Sequence, residues 1–87
     1  MQYCKWISWH KTKEKIYIFD ERSNEMFVLK GVAAIIWTLI GTQKSCNMIE
    51  DILVNKYSDI DRSVICADLN AFLKKMVEME LLANEKG

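Results

Sequence analysis

The chain has 87 residues, 51% of them hydrophobic, and its 12 Lys and Arg are balanced by 12 Asp and Glu. A chain this short builds one core and buries roughly 60–65% of the surface its unfolded form exposes, so it reads as a single domain with a thin stability margin. Zero net charge speaks against a general nucleic-acid binder, which needs Lys and Arg against phosphates, and against a polybasic membrane-surface protein.

The N-terminal stretch Met1 to His10 has no apolar signal-like core and no small-residue cleavage site. Tyr3 to His10 reads instead as a first strand, with aromatics and Ile7 broken by Lys5 and Ser8. Lys11 to Lys15 is a polar turn. Ile16-Tyr17-Ile18-Phe19 is a second strand, apolar on both faces. Asp20 to Glu25 is another polar turn, in which Asn24 can take a left-handed conformation. Met26-Phe27-Val28-Leu29 is a third apolar run. Short polar connections between such runs predict an antiparallel three-stranded meander.

The hydrophobic period then changes from 2 to 3.6. Val32, Ile36, Leu39 and Ile40 share a helical face, and Gly41 is placed to stop that helix. Ser45 is an N-cap for a second helix, with Asn47 and Glu50 as an alternative capping box. Its apolar stripe is Ile49, Ile52, Leu53 and Tyr57. Asp61 is the expected N-cap of a third helix, whose stripe Ile65, Leu69, Phe72, Met76 and Met79 is the strongest periodic signal in the chain, with Leu73 on the same arc. Leu81-Leu82 is expected to fold back onto the core before a polar tail, Asn84 to Gly87. The fold class is therefore α+β, a three-stranded antiparallel sheet followed by three helices on one face.

Residues for catalysis are sparse. Cys4, Cys46 and Cys66 are odd in number and far apart, with no CxxC, which suits reduced thiols in a cytoplasmic protein. The single His10 is too few for a zinc site or a Cys–His dyad. Gly31, Gly41 and Gly87 are isolated, so no phosphate loop exists. Asp20/Glu21 and Glu50/Asp51 read as solvated charges, and Met76 and Met79 as core filler. No apolar run approaches the ~18 residues of a membrane span; Val32 to Ile40 is about half that. No enzyme, metal or cofactor is expected.

Two features stand out. An outer strand of a meander offers unpaired N–H and C=O groups, and Met26 to Leu29 carries no Lys or Pro within it to discourage pairing. On the third helix one flank holds Val64, Asp68, Ala71 and Lys75, a small residue between two charges. If that flank and Phe72 face the third strand, the two form a groove for an extended peptide added as a strand. Lys75 would then take a peptide carboxylate and Asp68 a basic group or N–H.

The residues from Ile16 to Leu82 resemble the PqqD-like family, also called RiPP recognition elements. The resemblance runs through Ile16-Tyr17-Ile18-Phe19-Asp20, the turn at Ser23-Asn24, Met26 to Leu29 and Ile36-Trp37-Thr38-Leu39. It continues with Gly41, Ser45, Ile49, Leu53, Tyr57, Val64, Asp68, Phe72-Leu73 and Leu81-Leu82. Departures are Lys30-Gly31 where Asn-Pro is common, Asn24 where Gly is common, and Glu80 where Gly often precedes the final leucines.

The resemblance implies a winged helix-turn-helix-like, non-catalytic domain. Such a domain binds the leader of a ribosomally made precursor peptide along its third strand, in the cleft with the third helix. It implies delivery to a maturation enzyme: a leader peptidase in lasso-peptide systems, towards which the short form leans, or a radical SAM enzyme in PQQ synthesis. Two rivals share the topology. A winged-helix DNA-binding regulator needs a basic recognition helix, whereas Asp61 to Glu80 sets Arg62, Lys74 and Lys75 against four acids. A dimeric module would instead pair the open edge with its own copy.

Overall fold

The computed structural model describes residues 1–42 and 45–83; the polar tail expected at Asn84 to Gly87 lies outside them. The strands are β1 (Gln2–Tyr3), β2 (Ile7–Lys11), β3 (Lys15–Asp20), β4 (Glu25–Lys30) and β5 (Leu82–Ala83), and the helices α1 (Val32–Gly41), α2 (Cys46–Lys56) and α3 (Arg62–Glu78). β2, β3 and β4 form the expected antiparallel meander in that order, with β4 on an edge. The stretch predicted as one strand from Tyr3 to His10 is divided. Cys4 N–H turns to the carbonyl of Leu81 (3.1 Å), and β1 pairs with β5, setting Gln2 opposite Ala83 and Tyr3 opposite Leu82.

The period-2 pattern of β3 explains its place in the middle. Ile16 and Ile18 are completely buried on one face, and Tyr17 and Phe19 occupy the other. The register pairs Ile16 with Leu29 and Ile18 with Phe27, so those two β4 side chains share the core face while Met26 and Val28 stand on the outer one. Against the core face pack Ile36, Trp37 and Ile40 of α1, Ile49 and Leu53 of α2, and Ile65, Leu69, Leu73 and Met76 of α3. Leu81 and Leu82 close the core as expected, both nearly inaccessible. Phe72, Met79 and Tyr57 are only half-buried around it.

Helix ends follow local chemistry, with two differences from expectation. Ser45 caps α2, its hydroxyl accepting from Met48 N–H (3.2 Å). Asp61 is the N-cap residue of α3 but makes no side-chain cap bond. Gly41 does not end α1 in a left-handed conformation; it is the last helical residue, and glycine is needed there because a Cβ would lie 2.5 Å from the Tyr3 hydroxyl. That approach lets Tyr3 donate to the carbonyl of Trp37 (2.5 Å) and stack on its indole with ring centroids 4.6 Å apart, while Trp9 meets both rings edge-on.

The three departures from the family pattern coincide with left-handed backbone: Asn24 at φ 61°, Gly31 at φ 65° and Glu80 at φ 61°. A glutamate at such φ is strained by roughly 1 kcal/mol. Two contacts hold it: the Glu80 carbonyl accepts from Trp6 Nε1 (2.8 Å), and its carboxylate accepts from Arg22 (2.7 Å). Of the two acidic pairs, Glu21 and Asp51 are exposed as the sequence suggested, whereas Asp20 and Glu50 are not freely solvated. Asp20 is buried on the core face of β3, bound by Arg22, whose guanidinium also lies 4.3 Å over the Trp6 ring. Glu50 and Asp51 together hold Arg62. The cysteines are unpaired, and burial pushes the Cys4 thiol up. Among the described residues no cluster suits a metal, and no helix is long and apolar enough to cross a membrane.

Candidate functional site

The hydrogen-bond phase of the sheet decides what β4 offers to a partner. Thr12 N–H donates to the Lys15 carbonyl (2.9 Å) and Glu21 N–H to the Trp6 carbonyl (2.9 Å). Both belong to the β2–β3 ladder, in which bonded and non-bonded pairs alternate. Tyr17 and Phe19 therefore spend their backbone groups on β2, and Ile16, Ile18 and Asp20 turn theirs to β4. Their partners are Leu29, Phe27 and Glu25. It follows that Met26, Val28 and Lys30 direct their N–H and C=O away from the sheet, to its free edge. The side chains of Met26 and Val28 are also left 61% and 49% exposed. Glu25 and Lys30 are charged, but they stand at the ends of the strand and leave its middle unguarded.

The α3 candidates form the other half of the expected groove. Val64, Asp68, Ala71 and Lys75 recur at helical spacing on the exposed side of α3, and Val64 is 48% exposed. Phe72 lies at the boundary, half-buried against the same core that Phe27 and Leu29 touch from the sheet. β4 packs on β3 and α1, whereas α3 packs on α2 and β5. Among the described residues no hydrogen bond or ion pair joins Met26–Leu29 to Val64, Asp68, Ala71, Phe72 or Lys75. The two sets are thus separate surfaces, and Phe27, Leu29 and Phe72 each pack against the common core.

Two concavities were not anticipated. One, of about 560 Å³, lies on the outer face of the sheet between Ser8, His10, Tyr17, Phe19 and Met26. Its signal was present in the apolar residues on both faces of Ile16 to Phe19. The other, of about 770 Å³, lies between the β2–β3 turn and α1. Neither is lined by α3, and Met26 is the one expected site residue that lines either. Lys30 also went unrecognised as an edge residue, because the phase of a ladder depends on its partner strand.

Residues 15–82 match the family model described as coenzyme PQQ synthesis protein D (PqqD). No curated protein matches the chain. A solved structure, TbiB1 in complex with the TbiA(beta) leader peptide, is similar over 100% of both chains with a TM-score of 0.91 and 24% identity, a likeness of fold.

Proposed function

The chain belongs to the PqqD family, and from that premise we propose that it is a non-catalytic recognition protein for the leader segment of a ribosomally made precursor peptide. The leader adds as a strand to β4, hydrogen-bonding the outward groups of Met26, Val28 and Lys30. Phe27 and Leu29 on the core face, with Val64, Ala71 and Phe72 across from them, receive alternate apolar side chains of the leader. Lys75 pairs with a leader carboxylate and Asp68 with a basic group or N–H. The bound peptide is then delivered to a maturation enzyme, a leader peptidase or a radical SAM enzyme. No cofactor, nucleic acid or membrane takes part.

The observation that carries this proposal is the unguarded β4 edge, with its backbone groups turned outward along an apolar strand. The solved relative of the same fold was captured with a leader peptide, which supports the same class of ligand here. A DNA-binding regulator gains no support: the one arginine of α3, Arg62, is held by Glu50 (2.5 Å) and Asp51 (3.0 Å) of α2.

The test is titration calorimetry with a synthetic leader from a short reading frame beside the gene, together with random duplex DNA at low salt. Submicromolar to low-micromolar peptide binding is the expected result. A folded protein that ignores every neighbouring leader, or binds duplex tightly and salt-dependently, would overturn the proposal. Sedimentation showing a stable dimer closed through β4 would do the same.

A further inference from the structure

The register that frees the β4 edge also sorts the side chains beside it. On the outer face of the sheet Met26 lies opposite Phe19, Val28 opposite Tyr17 and Lys30 opposite Lys15, in successive rows. No carboxylate stands on that face of the three strands. The acids of β3 and β4, Asp20 and Glu25, are on the other face and at the other end. Lys15 and Lys30 are both exposed. Like charges at directly opposed positions repel, so the free protein carries a cost at this end of its sheet. Among the described residues neither ammonium has an ion-pair partner, Glu14 of the adjoining turn included. β4 ends at Lys30, and Gly31, at φ 65°, turns the chain into α1.

On the reading that a peptide strand adds to β4, from which this inference starts, we propose that the opposed lysines select the ligand: the residue the added strand sets opposite Lys30 is Asp or Glu. Antiparallel pairing is the more stable per residue, so the strand starts at Lys30 and runs back along β4. Directly opposed residues share a face of the sheet. The acid is therefore followed, two and four residues on, by apolar side chains over Val28 and Met26, which stand 49% and 61% exposed in the free protein. The residues between them fall on the core face, beside Leu29 and Phe27. The signature read on the outer face is acidic-x-apolar-x-apolar. The acid's Cβ lies about 4.5–5.5 Å from that of Lys30. Lys15 is one strand further, about 10 Å from the added strand, a gap that a lysine and a glutamate side chain span together. A carboxylate here relieves the repulsion between the two cations. A basic residue would instead make a third cation in the row, so the pair also rejects wrong sequences.

The probes are three labelled heptapeptides with blocked ends: Ser-Glu-Leu-Val-Leu-Val-Ser, and its forms with Gln or Lys in place of Glu. Binding to the full chain is followed by fluorescence anisotropy and by amide shifts, which at Met26, Val28 and Lys30 report a strand added to β4. At low salt the Glu form should bind roughly two- to fivefold tighter than the Gln form and roughly tenfold tighter than the Lys form, the differences shrinking as salt rises. Lys30→Glu should reverse the order and make the Lys form the tightest, a change that misfolding does not produce. Lys15→Glu places opposite charges across β3 and β4, so its thermal midpoint should hold or rise while its preference for the Glu form narrows. Equal affinities of the three forms with shifts along β4, or an unchanged order in Lys30→Glu, would overturn this inference and leave the β4 reading standing. So would equal binding of Ser-Leu-Glu-Val-Leu-Val-Ser, which moves the acid to the core face. No shift along β4 with any form would count against the β4 reading itself, and this inference would fall with it.

Discussion

Replacing Val28 with proline separates binding from folding, because the phase of the sheet turns the Val28 N–H outward. Proline removes that donor and fixes φ near −65°, which an edge strand tolerates when the lost N–H faces solvent. The β3–β4 ladder is left intact, and Val28 is half exposed, so the loss of folding stability should stay below about 1 kcal/mol. A leader strand on β4 loses more. One hydrogen bond is worth about 0.5–1.5 kcal/mol net, and a carbonyl left buried without a donor costs about 1–3 kcal/mol. At about 1.4 kcal/mol per factor of ten, Kd should rise roughly 5- to 100-fold. Phe27→Pro is the counterpart. Its N–H serves β3, so proline there should cost about 3 kcal/mol or more, a large share of the roughly 4–13 kcal/mol available to a domain of this size. Urea unfolding and calorimetry with the leader peptide measure the two quantities for each variant. Val28→Pro losing stability and affinity in equal measure, or binding as the parent does, would refute both the phase assignment and the β4 site.

Three further outcomes are expected. Gly31→Ala should destabilise by about 1–3 kcal/mol in urea unfolding although nothing lies within 4 Å of the added Cβ, because φ 65° with ψ −138° is glycine backbone. Burial pushes the Tyr3 hydroxyl up to about 12, against a pull downward from the Gly41 N–H. The folded state therefore holds this proton more tightly than the unfolded chain, so Tyr3's contribution is complete below pH 10 and is lost between about 10 and 12. Tyr3→Phe should remove that alkaline loss from a pH series of melts, at a cost of about 1 kcal/mol at neutral pH for the lost bond to Trp37. Hydrogen bonds from Arg22 hold the Asp20 carboxyl below its ordinary value of 3.8, so its contribution is present above that pH and lost as pH falls beneath it. Asp20→Asn should flatten this acid limb in the same measurements.

Much of the fold was legible because local periodicity and long-range packing agree. The Ile16/Ile18 alternation, the Ser45 cap and the Ile65-Leu69-Met76 stripe all serve the core that the sequence predicts. The failures share one cause: contacts between distant segments. Tyr3 leaves the first strand because β5, some eighty residues away, claims it. Gly41 stays helical because Tyr3 needs the room above it. Asp20 and Arg22 are drawn inward by Trp6 and by Glu80, at the far end of α3. The β4 edge was visible as a run without gatekeepers. Which of its residues face outward was not, since that depends on bonds made two strands away. The groove between the β2–β3 turn and α1 escaped notice because its two walls are far apart in sequence.

The pairing of β1 with β5 has a consequence for how this domain can be moved. Gln2 and Ala83 face each other across an antiparallel ladder, so their Cα atoms lie only about 5 Å apart. A host protein could receive the unit in a surface loop with almost no spreading of the loop's ends. A short bridge between the same two points would allow circular permutation, with new termini opened in the β2–β3 turn. The β1–β5 pair and the free edge of β4 belong to different sheets, so joining or splitting the chain at Gln2 and Ala83 leaves the β4 edge untouched.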